Sequence, residues 1–279
     1  MRRWTCGLLF VVFALSVPPS AQLVVPLPGE RRPAVPTAAR IAPLPEAGRS
    51  DAIRQLTAKL WRDTTPDVGF DTLLQVPALA EAVTPYTVYL SDASTVPVRH
   101  RELVVLRTTW LCNNAVLWSH HAARARSAGV TPTEMRRIAE GPDARGWSPF
   151  EAALLRTADE LYRNSAVSGS TWSALAAAYS EHQLMDLVET VNHFTMLSMM
   201  YNSFGVQQPE PPMPDRLPVD VPYRVVVPAP QPPLAAARVE PLPGDGIAVS
   251  RTLARHPKLT EARGRRANFI NRLSKLQPR

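Results

Sequence analysis

The chain has 279 residues, 45% of them apolar, so it is long enough to bury one large or two modest hydrophobic cores. Its formal net charge of +7 is local: residues 251–279 hold nine basic residues and one acidic residue, a balance of +8, which leaves −1 for the first 250 residues. The near-zero net charge of the first 250 residues excludes no class of partner. The basic tail could bind nucleic acid, but the export signal described next argues against that partner.

The N-terminus has the layout of a secretory signal peptide. Two arginines precede an apolar run over residues 7–17, and small residues follow. We predict that residues 1–21 are removed after Ala21, with cleavage after Ser16 or an uncleaved anchor as alternatives. The run is shorter than the roughly 20 residues that a membrane-spanning helix needs, so no stable span is expected after cleavage.

Cleavage removes Cys6 and leaves Cys112 as the single thiol, so the mature chain can form no internal disulfide. Only three of the 31 basic residues are lysine, a bias typical of GC-rich codons. Together these features predict an exported bacterial protein that is periplasmic or extracellular.

Residues 22–39 are rich in proline and predict an extended leader. Helical periodicity then begins near Ser50 and continues to about residue 205, without a convincing alternating strand pattern. We therefore predict an all-α domain over residues 40–207. Its helices are expected near 50–62, 72–92, 99–112, 114–128, 132–140, 149–164, 171–179 and 181–204.

Three of these helix starts carry a capping box, in which a hydroxyl residue is followed three positions later by Glu or Gln. The pairs are Thr131 with Glu134, Ser148 with Glu151, and Ser180 with Gln183.

Composition changes after the domain, because ten of the 25 residues in 209–233 are proline. This favours extended backbone and predicts a linker over residues 208–237. Beyond it, "RIAPLPEAG" at 40–48 returns as "RVEPLPGDG" at 238–246, and "VPALAEA" at 76–82 returns as "HPKLTEA" at 256–262. We predict that residues 238–279 are an incomplete second repeat, with chance similarity as the alternative.

The stretch "RELVVLRTTWLCNNAVLWSHH", residues 101–121, combines polar residues suited to chemistry with helical periodicity. On one unbroken helix Glu102 and His121 would lie about 28 Å apart. Asn113 and Asn114 are poor helix formers, and asparagine is among the best N-caps. A chain reversal at this pair would bring the carboxylate near the imidazole.

This stretch resembles the carboxymuconolactone decarboxylase family, whose redox branch includes alkyl hydroperoxidase D. That branch has a Glu, a Cys-x-x-Cys pair and a His four residues after the second Cys. When His121 is set on the family His, Glu102 falls on the family Glu, but Asn114 and Leu117 occupy the two cysteine positions. The non-redox branch is closer, since "RELVVLRTTWLC" and "LWSHH" match it, although residues 115–117 replace its acidic-aromatic-acidic run.

The resemblance extends over residues 40–207 and implies a carboxymuconolactone decarboxylase-like, alkyl hydroperoxidase D-like helical bundle that forms homo-oligomers. It implies a lyase that uses acid/base chemistry on a small anionic or lactone-type substrate, and we expect no cofactor. Glu102 and His121 are the predicted acid/base pair. Predicted substrate contacts come from Arg107, Asn114, Trp118 and His193.

Two alternatives remain open. Cys112 could support peroxidase chemistry with an external thiol, since one cysteine cannot both attack peroxide and resolve the sulfenic acid. The domain could also be a degenerate unit kept for assembly or binding. We predict no metal site, because the adjacent His120 and His121 cannot share an ion from one helix face.

Overall fold

The computed structural model describes residues 31–61, 66–229 and 236–270, and the statements below refer to those residues. They are all-helical and contain no strand. The helices are α1 (Asp51–Leu60), α2 (Gly69–Leu73), α3 (Pro77–Val88), α4 (Val98–Leu111), α5 (Ala115–Ser127), α6 (Pro132–Glu140), α7 (Pro149–Asn164), α8 (Gly169–Ala176), α9 (Glu181–Phe204), α10 (Ala248–Leu253) and α11 (Pro257–Asn268).

All three predicted capping boxes are present, at the starts of α6, α7 and α9. In each, the cap hydroxyl accepts a hydrogen bond from the backbone three residues on, and the Glu or Gln side chain accepts one from the cap residue's backbone. These local contacts satisfy backbone donors that the first helical turn leaves unpaired, and they fix where each helix begins.

The predicted single helix over 72–92 is wrong. Val76 has non-helical backbone (φ −129°, ψ 84°) and separates α2 from α3, which begins at Pro77. The physical reason is the proline, which disfavours helical backbone in the residue before it and suits the first position of a helix. At its other end α3 continues into a π-helical turn over Tyr89–Ala93.

Helix α4 lies at the centre of the fold and packs against α5, α7 and α9. Every residue of α4 from 101 to 111 is buried. Its apolar side chains enter two hydrophobic clusters, one around Trp110 and Trp118 and the other around Val105 and Phe194. A helix buried on all sides also carries its charged residues into the interior, where they need partners.

Residues 207–229 differ from the free linker that their prolines predict. They form no helix, but Leu217, Val221, Val225 and Val226 are buried against the domain. The ring of Tyr223 stacks on Trp110 with centroids 5.1 Å apart. Proline content indicates extended backbone, whereas the apolar residues between the prolines give that backbone a side that packs on the core.

The signal peptide predicted over residues 1–21 lies outside the described residues, and the leader is described only from residue 31. There its backbone is held to the end of α9, because the Arg40 amide donates to the Phe204 carbonyl at 2.9 Å. Within the described ranges, no helix has the length and apolar character needed to cross a membrane.

Candidate active site

Two asparagines reverse the chain between α4 and α5, as the sequence predicts. Asn113 adopts a left-handed conformation (φ 53°), and Asn114 Oδ1 accepts a hydrogen bond from the Leu117 amide at 2.8 Å. The Asn114 amide nitrogen donates to Asn202 Oδ1 on α9 at 2.8 Å. The reversal is confirmed, and the structure gives Asn114 these structural contacts rather than the predicted substrate contact.

The reversal brings Glu102 and His121 into direct contact. Nδ1 of His121 lies 2.7 Å from Oε2 of Glu102; the carboxylate is fully buried and His121 is 3% exposed. The Phe194 ring meets the imidazole edge-on, with centroids 4.7 Å apart. A carboxylate at Nδ1 accepts a hydrogen bond from the Nδ1–H group, which leaves Nε2 as the ring nitrogen available to a reactant.

Two arginines that the sequence analysis missed flank the same carboxylate. Oε1 of Glu102 lies 3.5 Å from Nε of Arg124 and 3.6 Å from Nε of Arg101. Burial alone would raise the pKa of Glu102, but His121 and the two arginines hold that pKa below its ordinary value. Glu102 is therefore ionised at neutral pH.

Each arginine had a signal in the sequence. Arg101 directly precedes Glu102 in the sequence. Arg124 lies three residues after His121, a spacing that puts Arg124 and His121 on the same face of α5. Arg124 is fixed from the π-helical turn, since its guanidinium donates to Asp92 Oδ1 at 2.5 Å and to the Ser91 carbonyl at 2.9 Å.

Arg101 is only 3% exposed, and its ion pair with Glu102 is 3.6 Å long, so its buried Nε makes no hydrogen bond within the described residues. Burial lowers its pKa. Glu102 Oε1 and the Nε atoms of both arginines are likewise buried without a hydrogen-bond partner among the described residues. These three atoms face one another in ion pairs of 3.5 and 3.6 Å, so the cluster is paired in charge although its contacts are longer than hydrogen bonds.

His193 lies behind Phe194, whose ring contacts both imidazoles. Its Nε2 is 2.9 Å from Thr87 Oγ1, and it is fully buried. Burial lowers the pKa of His193 to about 3, so the ring is neutral. The Phe194 ring thus lies between His193 and His121. This position supports a packing role for His193 more than the predicted contact with substrate.

Arg107, a predicted substrate contact, lies in the interior and is bonded there to other parts of the fold. All five guanidinium N–H groups are used and the side chain is fully buried. Asp159 accepts two of these bonds, at 2.6 and 2.8 Å, and the carbonyls of Ile138, Ala139 and Arg224 accept the others. Arg107 therefore joins α4 to α7 and to the proline-rich segment, away from Glu102.

Trp118 and Cys112 also lie in the interior. Trp118, a predicted substrate contact, is fully buried in the larger hydrophobic cluster. Cys112 is buried at the end of α4, and burial raises the pKa of its thiol to about 12. His120, next to His121, is partly buried, and burial lowers its pKa to about 3. No group of three or more His, Cys, Asp or Glu in the described ranges is arranged to hold a metal ion.

Comparison with known proteins supports the fold. Residues 77–160, which include Glu102 and His121, match the Carboxymuconolactone decarboxylase family. A crystal structure of the alkylhydroperoxidase AhpD core, an uncharacterized peroxidase-related protein from Ralstonia eutropha JMP134, is 23% identical. Its TM-score is 0.52, and the match covers 63% of this chain and 95% of that one.

Two other structures match less well. A protein of unknown function from Agrobacterium tumefaciens is 16% identical, covers 50% of this chain and 96% of its own, and has a TM-score of 0.47. An uncharacterized peroxidase-related protein from Silicibacter sp. TM1040 is 12% identical, covers 63% and 90%, and has a TM-score of 0.48. A search of curated proteins found no match. The matched segment spans the reversal, so residues 77–160 are similar to the Carboxymuconolactone decarboxylase family, and the helical fold around them is similar to that of the AhpD core structure.

Proposed function

We propose that this protein is an acid/base enzyme of the carboxymuconolactone decarboxylase family that acts on a small anionic or lactone-type substrate. The observation that carries the proposal is the buried 2.7 Å contact between His121 Nδ1 and Glu102 Oε2. We also propose that the chain is exported, on the strength of its N-terminal sequence pattern.

The pair supplies what such chemistry requires. Decarboxylation breaks a C–C bond, releases CO₂ and leaves an electron pair on carbon that must accept a proton; lactone isomerisation removes a proton from carbon and returns one. A histidine whose Nδ1–H is held by an ionised carboxylate can give or take that proton at Nε2. Glu102 fixes the tautomer and stabilises the imidazolium, while His121 exchanges the proton.

Arg101 and Arg124 support an anionic substrate. They replace Arg107 in the role that the sequence analysis assigned to it. The two guanidinium groups lie beside the acid/base pair, and the Nε of Arg101 makes no hydrogen bond within the described ranges. A substrate carboxylate would accept charge-assisted hydrogen bonds from these arginines.

The structure offers less support for thiol peroxidase chemistry. Such an enzyme needs an accessible thiolate, whereas Cys112 is buried and its pKa is raised to about 12. At neutral pH the thiolate fraction of such a group is on the order of 10⁻⁵. No observation on Cys112 favours this second activity.

The proposal is tested by screening small lactones and carboxylates for turnover with wild type, His121→Gln and Glu102→Gln. His120→Gln is the matched control, because it changes the neighbouring imidazole on the same helix. We expect turnover by wild type and the control, with a loss of about 10²-fold or more in the other two variants. Equal turnover by all four proteins would rule out the acid/base pair, and absence of turnover across the panel would favour a binding or assembly role.

A further inference from the structure

The tail helices repeat the geometry of α2 and α3. Helix α3 spans Pro77–Val88 and α11 spans Pro257–Asn268, so both ends differ by 180 positions. The residue before each helix has the same non-helical backbone: φ −129° and ψ 84° at Val76, φ −121° and ψ 81° at His256. This agreement extends the sequence similarity between 76–82 and 256–262 to the whole hairpin.

One contact outside the helices also recurs. The Leu44 amide donates to the Asp71 carbonyl at 2.9 Å, and the Leu242 amide donates to the Arg251 carbonyl at 3.3 Å. The donors are 198 positions apart and the acceptors 180, which are the two offsets of the sequence repeat. The tail thus keeps the contact between the "PLP" segment and its hairpin, while the 18 residues missing from the second copy correspond to the region of α1.

The second copy lies directly on the first, since α11 packs against α3. The guanidinium of Arg266 lies 5.2 Å from the ring centroid of Tyr86, and these residues occupy equivalent positions in the repeat. His256, the residue before α11, lies 3.2 Å from the hydroxyl of Tyr89, the residue after α3. The start of α11 is therefore near the end of α3, and the two helices run in opposite directions. Contact between equivalent residues is what a two-fold axis produces in a symmetric dimer.

The contact is closely packed. Leu259 is fully buried in a cluster with Tyr86, Tyr89, Leu90 and Met185. Polar contacts border it on the side of α9. His256 Nε2 lies 3.0 Å from Asp186 Oδ1, and Arg255 pairs with Glu181 at 2.6 Å.

We propose that the tail hairpin, residues 248–268, occupies the place on α3 that the α2–α3 hairpin of a second copy of this chain would take. The partner that fits this face of α3 is therefore another α3 related by a two-fold axis. While the tail is docked, the face is closed to a second copy. When the tail is displaced, two copies pair through α3.

The test is a charge placed in the tail contact of the full chain. Leu259→Asp introduces a carboxylate among four apolar and aromatic side chains and is expected to undock the tail. The mass measured by light scattering should then be twice that of wild type at the same concentration. Val249→Asp is the matched control, because Val249 lies on α10 in the same hairpin and is 56% exposed. The double variant Leu259→Asp with Leu90→Asp should return to the wild-type mass, since Leu90, in the turn directly after α3, then places a charge on the surface that the tail had covered.

A milder pair guards against loss of folding in the first variant. Arg255→Glu sets a carboxylate against Glu181 at the border, and Glu181→Arg in the same chain restores an opposite-charge pair. The first should raise the mass and the second should reverse it. Hydrogen exchange of α11 amides reports the state of the tail. An unchanged mass with α11 exchanging freely would overturn the proposal, and so would an α11 that stays protected in Leu259→Asp.

Discussion

Replacing Arg107 with Met tests the conclusion that this arginine holds the fold together rather than binding substrate. The substitution keeps the apolar stem but leaves the fully buried Asp159 without its guanidinium partner. Removing one member of a buried pair costs about 3–5 kcal/mol, because the remaining charge stays uncompensated. We expect a loss of that size in the free energy of unfolding at pH 7.

The loss should depend on pH in a defined direction. Burial raises the pKa of Asp159 above its ordinary value even beside Arg107, which lowers it. The folded state therefore binds the proton more tightly than the unfolded state, and this carboxyl contributes less stability as pH rises above its unfolded pKa of about 3.9. Without Arg107 the folded pKa rises further, so the cost of the substitution should be greater at pH 7 than at pH 5.

Urea unfolding followed by circular dichroism at both pH values measures this. Arg136→Met is the matched control, since Arg136 pairs with Asp220 on the surface and such a pair contributes little to stability. Asp159→Asn in the Arg107→Met chain should remove the added pH dependence. Arg107 does not hold the fold in this way if Arg107→Met lowers the free energy of unfolding by no more than the control does at pH 7, or lowers it equally at both pH values.

Three further results are expected. Arg101→Gln and Arg124→Gln should each weaken binding of succinate, followed by calorimetry, by about tenfold or more, whereas the exposed control Arg136→Gln should leave it unchanged; equal affinity in all of them would remove the anion site. Cys112→Ser should turn over lactone or carboxylate substrates at the wild-type rate and should not differ from wild type in peroxide turnover; a loss of peroxide turnover in this variant would favour the thiol peroxidase alternative. Terminal sequencing of protein recovered from the cell envelope or medium should begin at Gln22; an intact N-terminus would contradict cleavage.

Much of the fold could be predicted because its signals are local. A capping box depends on two side chains three residues apart, and all three that the sequence shows are formed. The chain reversal is also local, because it depends on the left-handed conformation of Asn113 and on Asn114 as the N-cap of α5. Once that reversal is known, α4 and α5 lie side by side, which is the condition for Glu102 and His121 to meet.

The choice of arginine could not be predicted in the same way. Helix α4 is buried on every side, so its periodicity does not separate a face toward the site from a face toward α7. Arg107 and Arg101 then look alike in sequence, and only the position of Asp159, 52 residues beyond Arg107, distinguishes them. Packing of the proline-rich segment is equally non-local, because it depends on the surface that α4 and α7 present to it.

The most direct measurement of the central claim is proton exchange at carbon. Small lactones and carboxylates are incubated with the protein in D₂O, and deuterium at the carbon next to the carbonyl group is followed by NMR. Wild type and His120→Gln should incorporate deuterium into the substrate, while His121→Gln and Glu102→Gln should be slower by about 10²-fold or more. Incorporation at the wild-type rate by His121→Gln would show that the buried imidazole and carboxylate do not carry the proton.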